Sequence, residues 1–303
     1  MRRHRKPRFE NHSGIIMLEL NDADDAARVA DWIELELSLG EDSFSKSKLG
    51  SILRDASGTD APEAFTSDVW QQLRRRIARY STDFFEIHGD VVVRRADVVD
   101  GRLEYQICLL FSLYGASIQG GSQPKLFERM SAEAICRQIG GQVFVFGWPL
   151  LPNVETQIAA RVKQVADLLQ ERFVEAPPSR YKDRGVDIIA WKAFPEPDHT
   201  DRRSGQLVVL SQCAAGHNWR DKTHELPLEA WAQYIHWATD PMRGFAVPCV
   251  IDDELWHDVA REVAGLVFDR VRLINLLSQG VQDGGLRTEL ETWHAEQIAE
   301  HRA

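Results

Sequence analysis

The chain of 303 residues has only four cysteines, Cys108, Cys136, Cys213 and Cys249, widely spaced and without a CxxC pair. They offer no disulfide framework and read as reduced thiols of a cytoplasmic protein. No apolar run is long enough to span a bilayer, so no membrane partner is expected. The basic start MRRHRKPR runs into polar residues instead of an apolar stretch, and so does not read as a secretory signal. Positive charge is in deficit: the net charge of −10 argues against wholesale coating of nucleic acid but leaves room for a local basic groove. No internal repeat or low-complexity tract occurs, which removes solenoids and propellers. Phosphate-cradling glycine loops and serine hydrolase motifs are absent as well.

What is present is an ordinary globular composition, 44% hydrophobic and 27% charged, with enough length for two domains. Apolar positions among acids predict a helix from Asp22 to Leu39, and a second from about Ser67 to Tyr80. Between them lie a short helix and a polar loop. Runs rich in Val, Ile, Leu and aromatics predict strands over Asp90–Arg95 and Leu103–Leu113. This α+β module, residues 1–118, carries no catalytic pattern. The stretch SIQGGSQP, residues 117–124, is the linker candidate, so the second domain is placed at 119–303.

From Lys125 the expected order is helix (125–138), strand (142–146), helix (155–172), strand (186–191), strand (206–213), helix (227–237) and strand (244–251). With the helix at 155–172 taken as an insertion, the remainder is αβββαβ, a short mixed sheet with helices on its faces. A helix (253–263), a strand (266–277) and a closing helix (286–300) follow.

Two neighbouring strands carry the candidate chemistry. RYKDRGVDIIAWKAF places Asp187 at the entry of an apolar strand, and GQLVVLSQCAAGHNWRDK ends a very apolar strand with Gln212. Paired strands run ~4.8 Å apart, so a carboxylate and an amide oxygen at such positions suit one divalent cation. An Asp after Gly is by itself often a turn residue. A Gln closing a nearly all-apolar run needs a partner, because an unpaired polar group is costly to bury.

In this order of elements the segment resembles the PD-(D/E)xK nuclease superfamily, which includes restriction endonucleases, Holliday-junction resolvases and Mrr-like enzymes. KLFERMSAEAICRQIGG is similar to the first helix of the Mrr type, with Glu128 in the Phe-Glu context and Glu133 as the alternative. Asp187 stands for the second-strand acid. The third-strand motif is Gln212-Cys213-Ala214, with Gln for the acid and Ala where the lysine belongs; Lys222, eight residues beyond Ala214, is the substitute. The resemblance implies Mg²⁺ or Mn²⁺ held by Asp187, Glu128, Gln212 and the backbone of Cys213, with Lys222 beside the attacking water. It also implies DNA as substrate, a role in restriction or anti-phage defence with partner proteins, and an N-terminal module for recognition or regulation. A homodimer is compatible with it.

Arg180, Lys182 and Arg184 precede the acid, and Arg203 precedes the third strand; they are the candidates for phosphate contact, although charge runs are usually solvated. Trp219 is read as core before base-stacking platform. Cys213, His217 and His224 are three irregularly spaced candidates for zinc without a fourth, whereas structural zinc takes four ligands. The rival reading is a non-catalytic, nuclease-like scaffold of a defence complex, sustained by the Gln and by the vacant lysine position.

Overall fold

The computed structural model describes residues 26–57, 63–95, 97–98, 102–115, 123–147, 150, 155–195 and 202–302. The chain divides into two compact units, Met1–Tyr114 with Ser278–Ala303, and Gly115–Leu277. The basic start and most of the expected linker lie outside the described residues.

The first unit runs α1 (Ala26–Leu39), β1 (Ser43–Ser45), α2 (Lys46–Ser57), α3 (Glu63–Ile77), β2 (Phe85–His88), β3 (Val91–Arg94) and α4 (Arg102–Tyr114). β3 is the centre of a three-stranded antiparallel sheet, pairing Phe44 with Val92 on one side and Ile87 with Val92 on the other. α1 packs against α3 and α4. The contact is polar at its heart: Arg76 is buried between Asp31 (2.6 Å) and Glu34 (3.3 Å), while the Tyr105 hydroxyl donates to Glu34 and Ser112 to Asp31.

Leu103–Leu113, expected as a strand, lies within α4. Every residue from Glu104 to Leu113 is buried, so the helix shows no polar stripe, and its continuous apolar stretch Ile107–Phe111 reads like a buried strand. The C-terminal helix, Gly284–Arg302, expected with the second domain, groups with the first unit. There Trp293 stacks on Phe111 at 4.7 Å, and the Val281 N–H donates to the buried Glu104 carboxylate at 2.7 Å.

The second unit contains α5 (Gln123–Ile139), β4 (Gln142–Val145), α6 (Ile158–Leu169), β5 (Arg172–Phe173), β6 (Ile188–Lys192), β7 (Leu207–Cys213), α7 (Leu228–Tyr234), β8 (Ile235–His236), β9 (Met242–Ala246), α8 (Asp253–Val263), β10 (Gly265–Phe268) and α9 (Arg270–Leu276). Its sheet has the order β10-β9-β7-β6-β4, antiparallel from β4 to β7 and parallel from β7 to β10. This is the expected α+β architecture, an αβββαβ series forming a mixed sheet flanked by helices, with β10 as a fifth strand. Ile189, Trp191, Val208 and Leu210 turn to one face, where they form a core with α6 and α7. The alternate residues Ile188, Ala190 and Val209 turn to the other face, and α5 packs against β4 and β6.

The expected strand 266–277 breaks after Phe268. The Asp269 carboxylate accepts from the Arg272 N–H at 3.1 Å and caps α9. The helix expected over 227–237 stops at Tyr234, where the backbone extends into β8 and pairs with β5. Among the described residues no helix is long and apolar enough to cross a membrane.

Candidate active site

Asp187 stands just before β6, where three segments meet. Its carbonyl accepts from the N–H groups of Phe146 (2.7 Å) and Gly147 (2.9 Å) beyond β4, and its own N–H donates to the Ser211 carbonyl of β7 at 2.9 Å. One carboxylate oxygen, Oδ2, accepts from the Cys213 N–H at 2.7 Å. Backbone and side chain are thereby anchored to strands on both sides.

The chain reaches Asp187 through a constrained turn. Arg184 and Gly185 both have positive φ, 55° and 74°, and the Gly185 N–H donates to Asp183 Oδ1 at 3.1 Å. Trp231 of α7 donates from Nε1 to the Arg184 carbonyl at 3.3 Å. Arg161 of α6 is buried behind the site, donating to the carbonyls of Phe146 and Lys182. A non-glycine residue in the left-handed region costs roughly 1–2 kcal/mol, so these contacts hold the turn against its preference.

Glu128 arrives from α5, 4% exposed. A β-carbon placed on Gly147 would lie 2.7 Å from Glu128 Oε2 and closer still to Asp187 Oδ1, so both carboxylates border the space left by the missing side chain. Lys125, one helical turn before Glu128 and 6% exposed, donates to Glu128 Oε2 and, at 2.7 Å, to the Gly147 carbonyl. Burial raises the Glu128 carboxyl to about 8, helped by the charge on Asp187 and opposed by Lys125. Asp187 is raised to about 6, again chiefly by burial, with Asp183 adding and the Cys213 N–H, Lys125 and Lys222 opposing. Two acids that resist ionisation together form a site that favours a compensating cation.

Gln212 is 6% exposed; its Nε2 donates to Glu225 Oε2 at 2.9 Å, and its Oε1 is buried without a hydrogen-bond partner. It hydrogen-bonds to neither Asp187 nor Glu128. Lys222 closes a 3-10 turn, Trp219–Lys222, is half-buried, and acts on Asp187 through its charge. Glu133 does not join the site: it is ion-paired with Arg137, whose guanidinium also donates to the Leu276 carbonyl at the end of α9. The acidity of the Cys213 thiol is suppressed by burial and by the charges of Asp187 and Glu128, while the backbone N–H of this residue binds the Asp187 carboxylate. Arg184 and Arg180 lie over the Tyr181 ring at 3.9 and 5.0 Å, while Lys182 and Arg203 are exposed. Trp219 is partly buried against the core around Phe245.

Lys125, Asp183 and Glu225 are members of this neighbourhood that the sequence does not single out. The spacing of Lys125 and Glu128, three residues apart on one helix, is the available signal for the first.

Among the described residues no three or more His, Cys, Asp or Glu side chains are grouped so as to hold an ion by themselves. The donor set nevertheless fits Mg²⁺, which is commonly bound through one or two carboxylates and keeps several waters. Glu128 and Asp187 would supply the carboxylates, whereas the Gln212 amide is turned to Glu225 through Nε2, with its Oε1 unpartnered.

No family model and no curated relative matches the chain. Among solved structures, MspJI restriction endonuclease in complex with a 27-mer oligonucleotide is 12% identical at a TM-score of 0.33, the overlap covering 81% of this chain and 46% of that one. The restriction endonuclease FokI overlaps at 11% identity and a TM-score of 0.22, covering 91% and 46%, and its DNA-bound form at 13% and 0.21, covering 93% and 48%. The chain thus spans less than half the length of each. Overlaps this loose do not define a common family.

Proposed function

We propose that the second unit is a metal-dependent endonuclease that hydrolyses DNA phosphodiester bonds, as the cutting part of a bacterial restriction or anti-phage system. The observation that carries this reading is the meeting of Glu128 and Asp187 at Gly147, on an αβββαβ sheet whose second and third strands supply Asp187 and Gln212. Glu128, Asp187 and the Gln212 Oε1 would hold Mg²⁺ or Mn²⁺. The ion, when bound, would supply Lewis-acid polarisation of the phosphate and a water acidic enough to attack near neutral pH.

The protein's own groups have separable tasks. Asp187 is fixed by its backbone bonds to both neighbouring strands, so it can keep its orientation as charge develops. Lys222 provides a nearby ammonium for the developing negative charge. Arg180, Lys182, Arg184 and Arg203 would grip phosphates of the DNA backbone, which positions the duplex without reading its sequence. We assign recognition or regulation to the first unit, and the defence partners and a homodimer belong to the same proposal.

Plasmid nicking by the purified chain tests it: nicks in Mg²⁺, none in EDTA, and none with Asp187→Asn. Equal nicking by wild type and variant would sink the reading. One observation favours the rival, a DNA-binding scaffold without turnover: Gln212 bonds to Glu225 and not to the acids. DNA binding with no Mg²⁺-dependent cleavage would establish that alternative.

A further inference from the structure

Lys125 is the charged group in closest contact with the carboxylate pair, and its position on the first turn of α5 is unusual for a lysine. At 6% exposure, a side chain that normally keeps its ammonium in water is enclosed. Two acceptors hold it: Glu128 Oε2, and the Gly147 carbonyl at 2.7 Å. The N–H of that same Gly147 donates to the Asp187 carbonyl at 2.9 Å. Lys125 therefore ties the helix that brings Glu128 to the strand end that borders Asp187. It also opposes the upward shift of both acids, so its charge acts on each. Lys222, the lysine expected from the sequence, makes no hydrogen bond to either acid.

We propose that Lys125 is a positioning residue, an internal counter-ion for Glu128 that an incoming divalent cation must displace, so that this ammonium sets the cation affinity of the site. The inference rests on the reading of Glu128 and Asp187 as cation ligands. One unit charge beside the carboxylates takes the place of part of the charge that Mg²⁺ would bring. It keeps the two acids together when no ion is bound, and it competes when one arrives. A divalent ion exchanges that single charge for two, whereas a monovalent ion gains nothing over the lysine. The site thereby prefers divalent cations without a third carboxylate.

Calorimetric titration of the full chain with Mg²⁺ at alkaline pH, where a proton competes least for the acids, is the test. Lys125→Gln retains a hydrogen-bond donor for Gly147 and removes the charge; it is expected to bind Mg²⁺ about tenfold more tightly than wild type. Lys125→Arg keeps the charge and should stay within about threefold of wild type. Lys222→Gln should change the affinity less than Lys125→Gln does. Unchanged or weaker binding by Lys125→Gln, with wild-type binding intact and lost in Asp187→Asn, would overturn the counter-ion role and leave the cation site standing. If wild type takes up no Mg²⁺, the cation site itself falls and the inference with it. Thermal melting of each variant in EDTA identifies any that fails to fold, and Lys125→Arg against wild type then decides.

Discussion

Glu128 and Asp187 come from a helix and from the start of a strand, yet both direct a carboxylate oxygen to the space that a β-carbon on Gly147 would fill. The glycine is required there by close approach, since any β-carbon would lie within 2.7 Å of both carboxylates. Gly147→Ala is expected to push the acids apart and to destabilise the second unit by about 1–3 kcal/mol, the range for overpacking a tight site. Its Mg²⁺-dependent nicking should vanish even where the variant remains folded by circular dichroism. A variant that cuts like wild type would show that the pair does not act together.

Both acids lie above their ordinary values, Glu128 at about 8 against 4.5 and Asp187 at about 6 against 3.8. An acid raised by folding makes the folded chain hold a proton that the unfolded chain has already released. Stability therefore falls as pH rises through the window between the two values. The Asp187 share of this loss is complete above about 6, and the Glu128 share above about 8. A tenfold difference in proton affinity between the folded and unfolded chain corresponds to about 1.4 kcal/mol. Urea unfolding in EDTA should show a steeper decline between neutral and mildly alkaline pH for wild type than for Glu128→Gln. Saturating Mg²⁺ should flatten the wild-type profile and release protons on binding. Equal slopes for both proteins would contradict the assignment.

Much of the second unit could be read from its residues. The runs around Ile188–Lys192 and Leu207–Cys213 are apolar on both faces because α6 and α7 cover one side and α5 the other, and such runs are conspicuous. The same feature misleads at α4, whose burial on all sides removes the helical stripe. Asp187 and Gln212 stand out as polar residues bordering apolar strands. Lys125 does not, because a lysine three residues before a glutamate looks like a solvated surface pair until the Gly147 carbonyl closes over it. Glu225 is equally hidden, since only the fold of the turn after β7 carries it to Gln212. The grouping of the C-terminal helix with the first unit rests on contacts such as Phe111 with Trp293, far apart in sequence and without a local signature.

Gln212 sets stability against function. A buried acceptor without a partner costs about 1–3 kcal/mol, and Gln212 Oε1 is one. Gln212→Met preserves most of the volume and removes that acceptor. It also removes the bond to Glu225, a small loss because Glu225 is exposed. The variant is expected to match wild type in EDTA, or to gain about 1 kcal/mol, while its affinity for Mg²⁺ drops. Loss of stability with unchanged Mg²⁺ binding would mark Gln212 as structural only.

The buried network of the first unit gives a test independent of the cutting chemistry. Removing Arg76 takes away a buried cation that pairs with both Asp31 and Glu34 inside the α1–α3 contact. Breaking a buried pair in this way typically costs about 3–5 kcal/mol, so Arg76→Met should lose about that much by denaturant unfolding. The carboxylates of the second unit are untouched by the change, and any Mg²⁺ binding of the folded protein should stay at the wild-type level. A loss below about 1 kcal/mol would mean that the network is open to water.

Arg184 combines a left-handed backbone with a guanidinium seated 3.9 Å from the centre of the Tyr181 ring. Glycine suits that backbone better, so Arg184→Gly separates conformation from charge: the turn before Asp187 is retained and the cation is lost. Relief of about 1 kcal/mol of strain offsets part of the lost stacking, and overall stability should change little. If the guanidinium contacts a phosphate, DNA binding measured in Ca²⁺ will weaken uniformly across sequences. The slope of log affinity against log salt will then fall by about 0.9, the value for one phosphate contact. Lys163→Ala, which removes an exposed lysine of α6 paired with Asp167, should leave the slope unchanged. Equal slopes for Arg184→Gly and wild type would take Arg184 out of the DNA interface and confine it to shaping the turn that delivers Asp187.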